Sequence, residues 1–189
     1  MSMPRINEGD ILYHASYTKV ENIDLSKCRQ ARDFGKGFYV TTSLEQAKTF
    51  VRSSVKKAIA KKLLPQDTDT GYVNAYKVAS TNSINEYDFS DADVNWLHYV
   101  AGNRDETLFK DEVANLGRYN CIGGKIANDK TAATLNDYID YEFGTPGEKI
   151  ADDTCITLLL PNRLEDQYCF KDEEAIKSLE FMEAIEVKI

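Results

Sequence analysis

This 189-residue chain has only two histidines and four cysteines to offer zinc, and neither set is clustered. Cys28, Cys121, Cys155 and Cys169 form no C-x-x-C pair, and only His14 and His98 exist to join them, which argues against a structural zinc site. Scattered thiols of this kind are expected to be reduced and mostly buried, as in a cytoplasmic protein. No apolar run approaches the length of a membrane span, and Met1 to Glu8 contain no apolar core of a signal peptide, so no membrane partner is expected. The net charge of −8 argues against broad, sequence-independent binding to nucleic acid or anionic lipid. Walker A, G-x-G-x-x-G, H-E-x-x-H and G-x-S-x-G motifs are all missing. With no repeat, low-complexity tract or linker either, residues 1–189 are expected to form one α+β domain.

What is present is a dense stretch early in the chain, Asp33-Phe34-Gly35-Lys36-Gly37-Phe38-Tyr39-Val40-Thr41-Thr42. Its glycines suit a tight turn or a close backbone approach, and Phe38 to Thr42 has the composition of a strand. Asp33-Phe34-Gly35 matches the metal-binding tripeptide of protein kinases. A kinase, however, carries its glycine-rich loop, strand lysine and H-R-D loop upstream, and none of these precedes Asp33.

Around this stretch the pattern alternates between strand and helix. Gly9 to Ser16 reads as a turn and then a short strand ending in polar groups, and Tyr17 to Arg32 as a long loop with a short helix, a length often tied to function. Leu44 to Leu64 is the clearest helix, with Leu44, Ala47, Val51, Val55, Ala58, Ile59 and Leu63 at three- and four-residue steps. Ser43 is its expected N-cap, with Gln46 as capping-box partner. Its basic residues, Lys48, Arg52, Lys56, Lys57, Lys61 and Lys62, read as a solvated face in preference to an anion-binding surface. Further strands are expected over Tyr72–Val78, Ile84–Phe89, around Gly123-Gly124, over Asp166–Phe170 and over Leu179–Ile189. Helices are expected over Asp93–Asn103 after a start at Ser90-Asp91, over Thr131–Phe143 and over Asp172–Ser178. Glu148 to Leu160 fits a helix or a buried strand, with a helix ended by Pro161-Asn162 preferred.

Three separated pieces combine into a family pattern. Tyr13-His14-Ala15-Ser16, Phe34-Gly35-Lys36-Gly37-Phe38-Tyr39-Val40-Thr41 and Gln167-Tyr168-Cys169-Phe170 resemble the diphtheria-toxin and poly-ADP-ribosyltransferase side of the ADP-ribosyltransferase superfamily. The resemblance is most specific to a bacterial group of ADP-ribosyltransferase-like proteins. That group shares the D-F-G-K-G-F-Y block, a W-L-x-x-V-x-x-N-R segment (Trp96 to Arg104), a G-x-x-A-N-D segment ending at Asp129, and an N/D-Q-x-x-F ending.

The resemblance implies an ADP-ribosyltransferase-like fold of split antiparallel β-sheets with flanking helices, and NAD as substrate without a metal. It implies that His14, Tyr39 and Gln167 are catalytic. His14 would bind the nicotinamide ribose, Tyr39 and Phe50 would stack on nicotinamide, and the Ala15 backbone would contact its carboxamide. Ser16, Gly37, Asn128 and Asp129 complete the implied NAD-binding set. Ala15 and Ala47 replace the glycine and serine common in that family, and Gln167 replaces its usual glutamate. A glutamine hydrogen-bonds a ribose hydroxyl but cannot ionise. Asp129 is either a compensating carboxylate or a helix N-cap. The activity implied is mono-ADP-ribosylation of a protein or nucleic-acid acceptor, with NAD hydrolysis or binding without turnover as alternatives. The group's bacterial setting further implies a toxin role with a cognate antitoxin or neighbouring small protein as partner.

Overall fold

The computed structural model describes residues 5–126, 129–160 and 164–189, and within these the chain is α+β, with two mostly antiparallel sheets and six α-helices. The strands are β1 (Ile11–Ser16), β2 (Phe38–Val40), β3 (Thr70–Val78), β4 (Glu86–Asp88), β5 (Cys121–Lys125), β6 (Asp166–Phe170) and β7 (Leu179–Lys188). The helices are α1 (Leu44–Ala60), α2 (Val94–Arg104), α3 (Lys110–Asn115), α4 (Asp129–Ile139), α5 (Lys149–Leu159) and α6 (Glu173–Ile176). One sheet has the order β1-β3-β7, the other β2-β6-β5-β4, and only the β4–β5 pairing is parallel. No helix of the described residues is long and apolar enough to cross a membrane.

Among the described residues one backbone bridge links the two sheets. Tyr13 N–H donates to the Thr41 carbonyl at 2.8 Å and Thr41 N–H returns to the Tyr13 carbonyl at 3.0 Å. Each sheet has its own hydrophobic cover on one side. Ala47, Val51 and Val55 of α1 pack on Val73 of the first sheet, matching the helical period of the sequence. Trp96, Leu97 and Val100 of α2, with Leu135, Tyr138, Cys155 and Leu159 of α4 and α5, cover Ile122 and Cys169 of the second. Between the sheets lie Leu12, Phe38, Tyr76, Tyr168 and Phe170. Burying each such side chain contributes about 1.5–3 kcal/mol.

Several local expectations are corrected. Ser43 caps α1 by accepting from Gln46 N–H at 3.2 Å, but Gln46 does not complete a capping box. Thr41 Oγ1 already accepts the Ser43 N–H at 3.1 Å, so the Gln46 amide accepts from the Thr41 hydroxyl and donates to the Asp166 carbonyl at 3.2 Å. The helix ends at Ala60, before Leu64, because Lys62 turns to φ 59°. Helix α2 starts at Val94, with Asp93 as its N-cap accepting from Trp96 N–H at 3.0 Å, while the Asp91 side chain accepts from its neighbour Ala92 N–H. Residues 149–159 are helical, with Leu160 at φ 50° as the cap; Pro161 and Asn162 lie outside the described residues. Helix α3 has no counterpart in the sequence pattern, and it buries no residue.

The two glycines of the early stretch serve different needs. Gly35 has φ +82°, whereas Gly37 has no positive φ but faces β6 so closely that a Cβ would lie 2.4 Å from Cys169 Sγ and 2.6 Å from the Phe170 carbonyl oxygen. Gly37→Ala should therefore destabilise the protein by about 1–3 kcal/mol, read as a lower denaturation midpoint in urea.

A second prediction concerns pH. Glu86 lies beside Asp88 on β4 and accepts from Ile6 N–H at 3.2 Å. Burial, then the Asp88 charge, raise Glu86 from 4.5 to about 8. The folded state thus holds a proton that the unfolded chain releases, so stability is full below pH 4.5 and falls as pH rises toward about 8. Glu86→Gln keeps a donor to Asp88. It should remove about 1–2 kcal/mol of that decline after solvent screening, measured by denaturant unfolding across this range.

Candidate functional site

One cleft of about 1130 Å³ opens beside the Tyr13–Thr41 bridge between the sheets. His14, Ala15 and Ser16 of β1, Gly37 and Tyr39 of the glycine stretch and β2, Phe50 of α1 and Gln167 of β6 all line it. The structure therefore brings together seven of the nine residues expected to bind or act on NAD. Asn128 lies outside the described residues. Asp129 is the first residue of α4, not a residue before it, and its side chain also lies outside them.

Each side chain is held by a specific contact. His14 Nδ1–H donates to the Tyr39 carbonyl at 2.8 Å and its ring packs on Phe38, with centroids 4.4 Å apart. A carbonyl only accepts, so the proton sits on Nδ1 and the neutral ring keeps Nε2 as an acceptor. Burial lowers the His14 pKa below the usual histidine value, with the Tyr39 hydrogen bond opposing, so the ring is neutral at physiological pH. Asn74, buried on β3 opposite His14, accepts from Val20 N–H at 2.8 Å and donates to the Thr18 carbonyl at 3.3 Å. It thereby fastens the long loop that forms the cleft's outer wall.

Tyr39 is tied back into the glycine stretch. Its hydroxyl donates to the Gly35 carbonyl at 2.7 Å and accepts from Phe34 N–H at 2.9 Å. Burial, and after it Cys169 and Asp33, raise its pKa well above the usual tyrosine range, so it stays a phenol. Its ring is left to form a wall. Burial pushes the thiols of Cys155 and Cys169 to about 12 and raises those of Cys28 and Cys121, so no cysteine is an activated nucleophile.

Sequence reasoning missed the polar group at the cleft floor. Gln167 Nε2 donates to Asp33 Oδ2 at 3.1 Å, and Arg104 donates to Asp33 Oδ1 through Nε at 3.0 Å and Nη2 at 2.6 Å. Asp33 and Gln167 are buried, and Arg104 stands in the last turn of α2, where a cation also meets the helix dipole. Both charged residues lie inside the shared sequence blocks, which was the available signal. Nothing in their spacing joins them.

The cleft is also basic in a chain of net charge −8: Lys19, Lys27, Arg29, Arg32, Lys57, Lys61 and Arg104 line it against Glu21, Asp24 and Asp33. Lys57 and Lys61 thus belong to the cleft rim as well as to the solvated face of α1. His98 instead pairs with buried Asp152 at 2.9 Å and stacks on Phe109 at 4.0 Å, away from the cleft. Among the described residues no group of side chains is arranged to hold a metal ion.

Fold and site together define an α+β protein with a deep basic cleft at the junction of two mostly antiparallel sheets. Residues 11–181 match the family described as "Protein of unknown function (DUF3990)", and the chain belongs to that family. No curated protein and no solved structure matches it.

Tyr39→Phe removes the bridge between Phe34 N–H and the Gly35 carbonyl while keeping the ring. It should cost about 1–3 kcal/mol of stability and raise hydrogen exchange at the Phe34 amide, checked by denaturation and exchange mass spectrometry.

Proposed function

We propose that the chain is an NAD-dependent mono-ADP-ribosyltransferase with an ADP-ribosyltransferase-like split-sheet fold. One observation carries the reading: His14, Tyr39, Phe50 and Gln167, from four separate elements, line a single cleft. Its volume, about 1130 Å³, suits a dinucleotide, and its basic rim suits a pyrophosphate.

In this reading the neutral His14 accepts a hydrogen bond from a hydroxyl of the nicotinamide ribose through Nε2. Tyr39 and Phe50 stack on the cationic pyridinium, contributing roughly 1 kcal/mol or more each. The C1′–N1 bond breaks with both electrons leaving on neutral nicotinamide. The oxocarbenium-like ribose is then captured by the acceptor's nucleophile, whose proton passes to solvent. Orientation and fixed dipoles supply the acceleration, which fits a site without an activated nucleophile. Both a protein side chain and a nucleic-acid group fit this chemistry as acceptor. The toxin role and antitoxin partner belong to the same proposal.

A second reading, NAD hydrolysis or nucleotide binding without turnover, is favoured by Gln167, which supplies no charge of its own at the family's glutamate position. Incubation with labelled NAD, alone and with lysate, separates these. A labelled macromolecule is the expected result; free nicotinamide without label means hydrolysis, and neither means a binding module. His14→Ala should lower nicotinamide release on the order of a hundredfold, and unchanged release would count against the assignment.

A further inference from the structure

A buried charge needs a reason, because taking a carboxylate out of water is costly even when it is paired. Asp33 is 8% exposed and lines the cleft, and Arg104 forks onto its Oδ1. Its Oδ2 accepts from Gln167 Nε2 at 3.1 Å. A carboxylate cannot donate, so this contact settles which end of the Gln167 amide faces Asp33: Nε2 points to the carboxylate and Oε1 becomes the acceptor end.

We propose that Asp33 is the positioning residue of the cleft, holding and polarising Gln167 so that its Oε1 accepts a hydroxyl of the nicotinamide ribose. The proposal rests on the NAD-cleaving reading above. Donation from Nε2 to a carboxylate draws electron density onto Oε1, because hydrogen bonds in a chain polarise one another. A more negative Oε1 strengthens the hydrogen bond from the ribose hydroxyl as positive charge grows at C1′. The site thereby places a negative charge one hydrogen bond further from the ribose than a glutamate at position 167 would. Asp33 gains and loses no proton in the step. Arg104 faces Oδ1, and Gln167 faces Oδ2. Asn136 accepts from Arg104 Nη1 at 3.5 Å and holds the guanidinium from the other side.

The test begins with NAD affinity and nicotinamide release of the wild-type chain; absence of both overturns the NAD reading and this proposal with it. With an active wild type, Asp33→Asn should lower kcat about tenfold or more while KM for NAD stays within about threefold, and an unchanged kcat overturns the proposal alone. The variant Gln167→Glu decides the matter even where Asp33→Asn does not fold. It sets two carboxyl groups side by side, which share a proton at low pH and repel once both are ionised. Its pH profile for nicotinamide release should gain a rising limb as the introduced carboxyl ionises and supplies the negative charge itself, with an apparent pKa above that of an ordinary glutamate. Adding Asp33→Asn should move that limb down toward the ordinary glutamate range. A Gln167→Glu profile that matches wild type overturns the proposal and leaves the NAD reading standing.

Discussion

The structure hangs on the place where β1 meets β2. Two backbone hydrogen bonds between Tyr13 and Thr41 join the sheets beside the apolar layer they share, and the His14 ring adds a third bond to the Tyr39 carbonyl. The same few residues thus hold the sheets together and set the tautomer of the histidine in the cleft. Gln46 extends the junction by linking Thr41 to the Asp166 carbonyl at the start of β6. A cleft at a sheet junction is therefore only as well defined as these short polar contacts. That explains why so many polar side chains are buried there.

Much of the fold was legible because packing repeats locally. The three- and four-residue spacing of Ala47, Val51, Val55 and Ala58 predicted α1, and these residues are buried. Helix α3 was not legible, since it has no fully buried residue and rests on the core through Val113 alone, which leaves no hydrophobic period. The capping-box pattern at Ser43 and Gln46 was misleading for a physical reason. A glutamine near a helix N-terminus has a local partner and tertiary ones, and here Thr41 and Asp166 won.

The cleft was legible where a residue belonged to a short recognisable block, as with His14 and Tyr39. Arg104 and Asp33 were not legible as a pair, because they stand 71 positions apart and opposite charges abound in the chain. Gln167 was visible as a departure from the family pattern, but its partner was hidden. Only three-dimensional proximity shows that the neutral Gln167 amide sits against the Asp33 carboxylate.

The strand order has a consequence for how the cleft comes into being. Its walls are contributed by residues 14, 39, 50, 104 and 167, and β2 finds its sheet partner only in β6. Contacts of such sequence separation form late and slowly, after loop-closure entropy has been met. While the chain is being made, β1, β2 and α1 are therefore exposed long before β6 exists to close the site behind them. A nascent chain has no complete cleft until β6 has left the ribosome. Whatever chemistry the protein performs thus waits for a strand made more than a hundred residues after the first cleft wall.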